Sequence, residues 1–392
     1  MVKLIKSAFF EEEKTKKELA DFIVETSQLS FGPQCEQFEK SFASWQGRKE
    51  CVFVNSGSSA NLAIVQALLN LGKLKKGDMV GFSALTWSTN VMPLIELGLV
   101  PVPIDVEIDT LNVSSKKLSE RLAEFPLKGL FLTNLLGFCD DIGVIKKICE
   151  EKNIVLFEDN CESFGTVYQG RKLGNFGLAS TFSFFVGHHL STIEGGSVCT
   201  DDTELAQMLR LVRAHGWDRN LKGVEQAELR KKHAMDSFYG KYTFYDLGYN
   251  LRPTEVAGFL GSSQMPYADR IVAAREKNFK TMAAAILKND AYHPLRFDHI
   301  DLVSNFAMPI ICRDQATRDA LVARAEGRIE VRPIVGGDIT KQPFFAKYAS
   351  AEICGLANPN ADLIHTNGLY APNNPELTAE EITTITNVLS GK

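Results

Sequence analysis

Short apolar runs alternate with helical patterns over the first two-thirds of the chain, and this alternation restricts the fold more than any other feature. The apolar runs predict strands at 51–54, 79–82, 100–106, 129–136 and 154–158. Residues 59–71 carry a helical pattern, and Gly72 follows where a helix-ending glycine is expected. Alternating β and α units imply an α/β fold whose parallel sheet has helices on both faces. Right-handed crossovers bring the loops after the strands to one edge of the sheet, so ligands are expected there.

The remainder of the chain predicts a second, smaller domain. A length of 392 residues exceeds the ~250–300 at which one core stops growing. We therefore expect a large domain over 1–260 and a small α+β domain over 261–392, with the N-terminal residues as candidates for packing on the small one. The polar segment 217–247 lacks apolar periodicity and is predicted to be a long surface loop or mobile flap. The patterns beyond it predict a long helix at 254–275, strands at 306–311 and 330–333, and helices at 315–325 and 379–389.

Charge and targeting signals argue against nucleic acid and membrane as partners. The net charge is −5 and the pI about 5.9, whereas phosphate backbones usually need a basic face; a local basic pocket for a small phosphate ligand stays open. The N-terminus lacks a signal-peptide pattern, and no run reaches the ~18–20 apolar residues of a membrane span. A cytoplasmic location is therefore expected.

The eight cysteines are scattered and form no CxC or CxxC pair. This spacing gives no reason to expect zinc or an iron–sulfur cluster, and no metal site is predicted. Reduced, partly buried thiols are expected instead.

Residues 55–61 (NSGSSAN) lie between a predicted strand and a predicted helix. Glycine permits close approach of a ligand, and the free N–H groups of a helix start together with serine hydroxyls can hold an anion. A plain helix cap after a βα turn is the alternative.

Two further motifs follow predicted strands. Residues 158–162 (EDNCE) offer either a carboxylate for a protonated ring nitrogen or an ordinary capping acid. Residues 180–196 (STFSFFVGHHLSTIEGG) place two histidines after an apolar strand. Adjacent side chains on extended backbone point to opposite sides, so one histidine is expected to face the site and the other to pack. Two structural histidines at a strand end remain the alternative.

In this order and spacing, the three motifs resemble the sugar aminotransferase family known as DegT/DnrJ/EryC1/StrS. The resemblance covers essentially the whole chain and continues through 213–217 (RAHGW), 248–253 (GYNLRP) and 368–372 (GLYAP). It implies the aspartate-aminotransferase-like fold of fold type I pyridoxal phosphate (PLP) enzymes. In that fold a large, mostly parallel sheet domain binds PLP and a smaller α+β domain follows.

The resemblance also implies which residues bind the cofactor phosphate. Gly57, Ser58 and Ser183 match the family's phosphate-holding positions. Asn250 would reach the phosphate from the partner subunit, which makes a homodimer the expected assembly.

Three other positions are implied to contact the cofactor ring. Trp87 would stack on it, Asp159 would keep its nitrogen protonated, and Glu162 would hydrogen-bond the ring hydroxyl.

The decisive departure is His188, which stands where the family carries its Schiff-base lysine. An imidazole cannot form the lasting imine that an amine forms with the cofactor aldehyde, but it can move protons near neutral pH. The pattern resembles the GDP-4-keto-6-deoxy-D-mannose 3-dehydratases, whose hallmark is a histidine at this position. A second histidine-bearing group, the CDP-sugar 3-dehydratases, carries an iron–sulfur cluster on closely spaced cysteines that this chain lacks.

This resemblance implies a lyase that uses PLP and pyridoxamine phosphate. L-glutamate would supply the amine, and the enzyme would remove the C3 hydroxyl of a nucleotide-linked 4-keto-6-deoxy sugar and release ammonia, with His188 as the catalytic base and acid. GDP-4-keto-6-deoxy-D-mannose is the expected substrate. His215, Arg219 and Glu330 are candidates for substrate contact, against the alternative of solvated loop residues. Two other functions stay open: a nucleotide-sugar aminotransferase with an unusual base, and a catalytically silent PLP-binding sensor.

Overall fold

The computed structural model describes residues 1–287 and 289–391, and its elements follow the predicted alternation. The strands are β1 (Glu50–Val54), β2 (Met79–Ser83), β3 (Val100–Ile104), β4 (Gly129–Thr133), β5 (Val155–Asp159), β6 (Val167–Tyr168), β7 (Arg171–Lys172), β8 (Ala179–Ser183), β9 (Gly196–Thr200), β10 (Met308–Ile311), β11 (Arg332–Pro333) and β12 (Gly368–Ala371). The α-helices are α1 (Glu12–Glu25), α2 (Pro33–Gln46), α3 (Gly57–Asn70), α4 (Met92–Glu96), α5 (Ser115–Glu124), α6 (Ile142–Lys152), α7 (Thr203–Arg213), α8 (Gly223–Lys232), α9 (Glu255–Gln264), α10 (Ala268–Ile286), α11 (Gln315–Ala325), α12 (Pro343–Tyr348), α13 (Ala351–Cys354), α14 (Pro359–Asn367) and α15 (Ala379–Ser390).

Seven strands form one sheet in the order β1-β9-β8-β5-β4-β2-β3. Every strand except β9 runs in the same direction; β9 pairs antiparallel with both β1 and β8. In this register Asp159 at the end of β5 lies between Thr133 of β4 and Thr181 of β8. The carboxyl ends of the parallel strands therefore meet at one edge, as predicted.

Both faces of the sheet are covered by helices. Along β1, Val52 and Val54 join the core that includes α3, while Phe53 points to the opposite face. There its ring packs edge-on against Phe38 of α2, with ring centroids 4.8 Å apart. Period-2 alternation in a strand thus builds two apolar layers, which confirms the predicted arrangement.

The C-terminal part contains the antiparallel sheet β10-β12-β11, with α10 packed against β10 and α15. Val2 forms a parallel bridge with Ile329, so the N-terminus contacts this part of the chain. The division of the chain near residue 260 stays a prediction.

Two predictions on the middle of the chain are wrong. Segment 217–247 contains α8 and two 3-10 turns rather than only loop, because α8 buries no side chain and so shows no apolar periodicity. Its Arg230 instead pairs with the buried Asp218 at 2.6 Å. The single helix predicted at 254–275 is two helices, α9 and α10, separated by a 3-10 turn at Met265–Tyr267 that contains Pro266. Proline lacks the N–H that a continuous helix needs.

The described residues form neither a membrane-spanning helix nor a cluster of metal ligands. None of their helices combines the length and hydrophobicity that crossing a membrane requires. No three His, Cys, Asp or Glu side chains among them are grouped as metal ligands would be. The eight cysteines are free thiols, and six of them are buried.

Candidate active site

A cavity of about 490 Å³ opens at the carboxyl edge of the large sheet. The structure brings together here seven of the residues singled out in the sequence: Gly57, Ser58, Trp87, Asp159, Glu162, Ser183 and His188. They come from four separate segments of the chain, which follow β1, β2, β5 and β8. Their convergence follows from the parallel sheet, because each segment leaves a strand at the same edge.

The start of α3 forms a cradle for an anion. The Ser56 hydroxyl caps the helix by accepting the Ser59 N–H at 3.0 Å, while Gly57 and Ser58 open onto the cavity. A Cβ on Gly57 would lie 2.6 Å from the Cβ and 2.9 Å from the Oγ of Ser183. Only glycine therefore lets the helix start and the Ser183 hydroxyl come this close. The free N–H groups of a helix start, together with hydroxyls, suit a phosphate.

Asp159 is held by three N–H donors at the bottom of the cavity. Its Oδ2 accepts bonds from the side-chain amides of Asn61 at 2.9 Å and Asn90 at 2.7 Å, and its Oδ1 accepts the Cys161 N–H at 2.9 Å. Only 5% of Asp159 is exposed. The carboxylate is thus fixed in orientation and can meet a protonated ring nitrogen across a water-poor site.

Asn61 and Asn90 were not assigned a role from the sequence. Asn61 lies one helical turn after Gly57, so helical spacing already places it on the cavity side of α3. Asn90 stands three residues after Trp87 in the 3-10 turn that follows β2, and local pattern gives no sign of its contact with Asp159.

The two adjacent histidines have different surroundings, as predicted. His188 lines the cavity, whereas the buried His189 places its Nε2 3.1 Å from the Ser304 carbonyl oxygen and stacks on Phe164. Burial, and secondly the cation of Arg275, lower the pKa of His188 to about 4. Its Nδ1 has no hydrogen-bond partner in the described part of the chain. The imidazole is therefore neutral at pH 7 and can accept a proton.

Glu162 complements His188, because its carboxyl group can donate a proton where the imidazole accepts one. Burial raises its pKa to about 8, against the bond that its Oε2 accepts from the Leu136 N–H at 3.0 Å. The carboxyl group is protonated at pH 7, so it can donate a hydrogen bond to a ligand oxygen. Burial also raises the pKa of the nearby Tyr370 to about 12, which keeps this phenol neutral as well.

No lysine is found among the cavity-lining residues that the structure describes, and Arg332 is the one arginine there. Its Nε and Nη2 donate to Glu330 Oε1 at 3.1 and 2.7 Å, while Glu330 Oε2 accepts the Leu4 N–H. Glu330 itself does not line the cavity. It orients Arg332, which extends into the cavity and was not assigned a role from the sequence.

Three predicted residues lie outside the cavity of this chain. His215 has left-handed backbone with φ 62°, and Arg219 lies over the Trp217 ring. The exposed Asn250 accepts a bond from Arg252 Nε at 3.0 Å and pairs with Ala214. The structure therefore brings His215 and Asn250 to one surface but not to the cavity.

The fold and the site define a class. A seven-stranded sheet with one antiparallel strand, a fixed carboxylate at the end of a central strand and an anion cradle at a helix start form the aspartate-aminotransferase-like fold of fold type I PLP enzymes. Within that class, the chain belongs to the DegT/DnrJ/EryC1/StrS aminotransferase family, whose model matches residues 11–390. Both the fold and the family predicted from the sequence are confirmed.

Similar proteins include enzymes that match along nearly their full length. GDP-4-keto-6-deoxy-D-mannose 3-dehydratase of Yersinia pseudotuberculosis is 36% identical over 372 residues, which cover 94% of this chain and 93% of that protein. The protein of the same name in Escherichia coli O55:H7 is 34% identical over 378 residues, covering 94% of each. A crystal structure of GDP-4-keto-6-deoxymannose-3-dehydratase with a trapped PLP-glutamate geminal diamine has a TM-score of 0.88 at 31% identity, covering 99% of this chain and 100% of that one.

Proposed function

We propose that this protein is a PLP-dependent dehydratase that removes the C3 hydroxyl of a nucleotide-linked 4-keto-6-deoxy sugar. GDP-4-keto-6-deoxy-D-mannose is the substrate named for the relatives and the one we propose here, with L-glutamate as amine donor and ammonia as by-product. The observation that carries the proposal is a neutral imidazole, His188, in a cavity whose described lining contains no lysine. The cytoplasmic location expected from the sequence is part of the proposal.

The residues of the cavity fit the cofactor. The α3 start and Ser183 would hold the phosphate, Asp159 would face the ring nitrogen, and the half-exposed Trp87 would cover the ring. When bound in its amine form, the cofactor supplies an electron sink that weakens bonds next to a sugar carbonyl carbon. The protonated Glu162 would donate a hydrogen bond to the ring hydroxyl of the cofactor.

His188 moves the proton. At pH 7 its imidazole is neutral and His188 lines the cavity, so it can take up a proton released beside the sugar C4. The same imidazolium then donates that proton to the C3 oxygen as the C3–O bond breaks, and the hydroxyl leaves as water. General acid–base catalysis of this kind contributes about 10²–10⁴-fold to a rate.

The cavity favours dehydration over the two alternatives. An aminotransferase needs an amine to displace its aminated product, and no lysine lines the described cavity. A silent sensor needs neither an oriented carboxylate nor an unprotonated imidazole, yet Asp159 receives three hydrogen bonds and His188 faces the ligand space.

Product analysis tests the proposal. The enzyme, GDP-4-keto-6-deoxy-D-mannose and glutamate should give a product that has lost the C3 oxygen, with one ammonia per turnover, measured by mass spectrometry and an ammonia assay. His188→Asn should lower kcat about 10²–10⁴-fold while PLP still binds. His293→Asn is the matched control, because His293 lies outside the cavity. A 4-amino sugar that retains its C3 hydroxyl would show an aminotransferase instead.

We also propose that the working unit is a homodimer. The large apolar side chains exposed next to Asn250 are Phe238, Tyr239, Tyr242, Phe244 and Leu247. Five large apolar side chains exposed within ten residues of the chain are more than scattered surface positions usually show, and such exposure is typical of an interface. The lining of the cavity carries three carboxyl groups and one arginine, so a phosphate there would gain from a further donor such as Asn250 of the partner subunit.

Mixed dimers test the sharing of residues. In a dimer of one Asn250→Ala subunit and one Asp159→Asn subunit, a shared site leaves one of the two cavities intact, so each parent is inactive and the mixture regains activity. Mixing Asp159→Asn with His188→Asn is the control, because both residues line the cavity of one chain and no cavity is restored. No regained activity in isolated Asn250→Ala/Asp159→Asn heterodimers would rule out sharing through Asn250.

A further inference from the structure

Behind the cavity, Arg275 of α10 is a buried cation without a carboxylate partner. Only 3% of the residue is exposed, and no ion pair joins it to any acid in the described chain. The comparably buried Arg210 and Arg213 instead pair with Glu50 and Glu39. Burial lowers the pKa of Arg275 to about 9, which still leaves the guanidinium charged at pH 7. An unpaired buried charge is costly, so its surroundings identify what compensates it.

The compensation comes from three backbone carbonyls that surround the cavity. Arg275 Nη2 donates to the His188 carbonyl oxygen at 3.1 Å, and Nη1 donates to the carbonyl oxygens of Phe306 at 2.7 Å and Asn373. All three of these residues line the cavity, and they lie in three segments that are distant in the sequence. The planar guanidinium donates from separate nitrogen atoms and can reach carbonyls several ångströms apart at once, whereas an ammonium group donates from a single nitrogen atom.

We propose, building on the function given above, that Arg275 is a positioning residue for the proton transfer by His188. Its guanidinium fixes the backbone that carries the imidazole against the two C-terminal segments of the cavity wall. Its unpaired charge disfavours the imidazolium form, so the base is unprotonated when substrate arrives. The same repulsion makes the imidazolium a stronger acid toward the C3 oxygen, a poor leaving group that needs this proton.

No other charged group around His188 takes over the repulsion that Arg275 exerts on the imidazolium. The remaining titratable or charged side chains of the cavity and its wall are Asp159, Cys161, Glu162, His189, Glu194, Arg332 and Tyr370. Burial is the largest influence that lowers the pKa of His188 and the cation of Arg275 is the second, while the backbone of Cys161 raises this pKa. Replacing Arg275 by an apolar residue therefore removes the main charge that opposes protonation of the imidazole.

The test measures the protonation of His188 directly. Only a neutral imidazole reacts with diethyl pyrocarbonate, so the modification rate of His188, followed by peptide mass spectrometry of the PLP-loaded enzyme between pH 5 and 7, reports its titration. The wild-type rate should be nearly constant over this range, since the pKa of His188 is about 4. In Arg275→Met the titration should move up toward the ordinary value, so that the ratio of the rate at pH 5 to the rate at pH 7 is lower than in wild type.

Two further variants separate charge from position. Arg275→Lys keeps the charge but cannot span three carbonyls, so His188 should titrate as in wild type while kcat falls about tenfold or more with little change in KM. Arg296→Met removes a side chain that pairs with Asp109 and Asp140 and does not line the cavity, so it should change neither the titration of His188 nor kcat. The proposal is overturned if folded Arg275→Met titrates as wild type, or if Arg275→Lys retains the wild-type kcat. The lysine variant decides alone if the methionine variant does not fold.

The titration of His188 also tests the role of Arg275 independently of the proposed dehydratase function. The modification of His188 requires no turnover. A shifted titration would therefore stand even if product analysis showed an aminotransferase, and an unshifted one would refute the role of Arg275 while leaving the dehydratase proposal intact.

Discussion

Replacing Glu162 by glutamine should stabilise the protein, and the gain should grow with pH. The buried carboxyl group has a pKa of about 8 in the folded chain, against an ordinary value of 4.5. Between these values the folded protein binds a proton that the unfolded chain has lost. A raised folded pKa therefore contributes stability that is fully present below pH 4.5 and is lost as the pH rises through 8. The amide introduced by Glu162→Gln would not ionise and still accepts the Leu136 N–H, so the variant should escape this loss.

The size of the effect follows from the two pKa values. Each pKa unit is worth about 1.4 kcal/mol, so the full difference corresponds to about 5 kcal/mol. Because Glu162 opens onto the cavity, water screens part of this penalty, and we expect about 2 kcal/mol above pH 8. At pH 5 the two proteins should differ little.

Urea unfolding of wild type and Glu162→Gln between pH 5 and 9 measures this difference. Protein and PLP concentrations are held fixed, because ligand and subunit binding both shift apparent stability. Glu194→Gln is the matched control: it removes an exposed carboxylate from the lining of the same cavity, so a general effect of losing one negative charge would appear in both variants. A difference between wild type and Glu162→Gln that does not change with pH would refute the reasoning.

Two substitutions test the cofactor site. Gly57→Ala should weaken PLP binding and destabilise the protein by about 1–3 kcal/mol, because the new Cβ overlaps Ser183. Thermal unfolding and PLP titration measure the stability and the PLP affinity. The control Gly223→Ala, at a helix start with open space around it, should leave both unchanged. Adding Ser183→Gly to Gly57→Ala should restore the stability but not the full PLP affinity. Asn90→Ala should raise the PLP dissociation constant about tenfold, because Asp159 loses its 2.7 Å partner. An unchanged dissociation constant would show that the orientation of Asp159 does not depend on Asn90.

The sequence predicted those parts of the fold that bury an apolar face. The strands of the large sheet show continuous apolar runs because both of their faces are buried, and α3 shows a helical pattern because its apolar side packs in the core. Helix α8 was missed for the converse reason, since it buries nothing and is stabilised by charged contacts. The break between α9 and α10 had a local signal in Pro266, which the apolar pattern on either side concealed.

For the site, the sequence predicted the residues that follow strands but not their supporting contacts. The strand ends are local features, and a parallel sheet brings them together without further information. The bond from Asn90 to Asp159 spans 69 residues and that from Arg275 to His188 spans 87. Neither position has a periodicity or motif that marks it, because its role depends on tertiary packing alone.

Burial shifts the pKa values of Glu162 and His188 in opposite directions, and this explains how a histidine can act as the base in the cavity. The pKa of Glu162 rises to about 8 and that of His188 falls to about 4, so both are uncharged at pH 7. Passing a proton from Glu162 to His188 would create two buried charges, so the acid does not consume the base. The imidazole therefore stays available for a proton released by the substrate. The His188 imidazolium then gives this proton up readily, because an environment that disfavours the imidazolium also favours transfer of the proton to the departing hydroxyl.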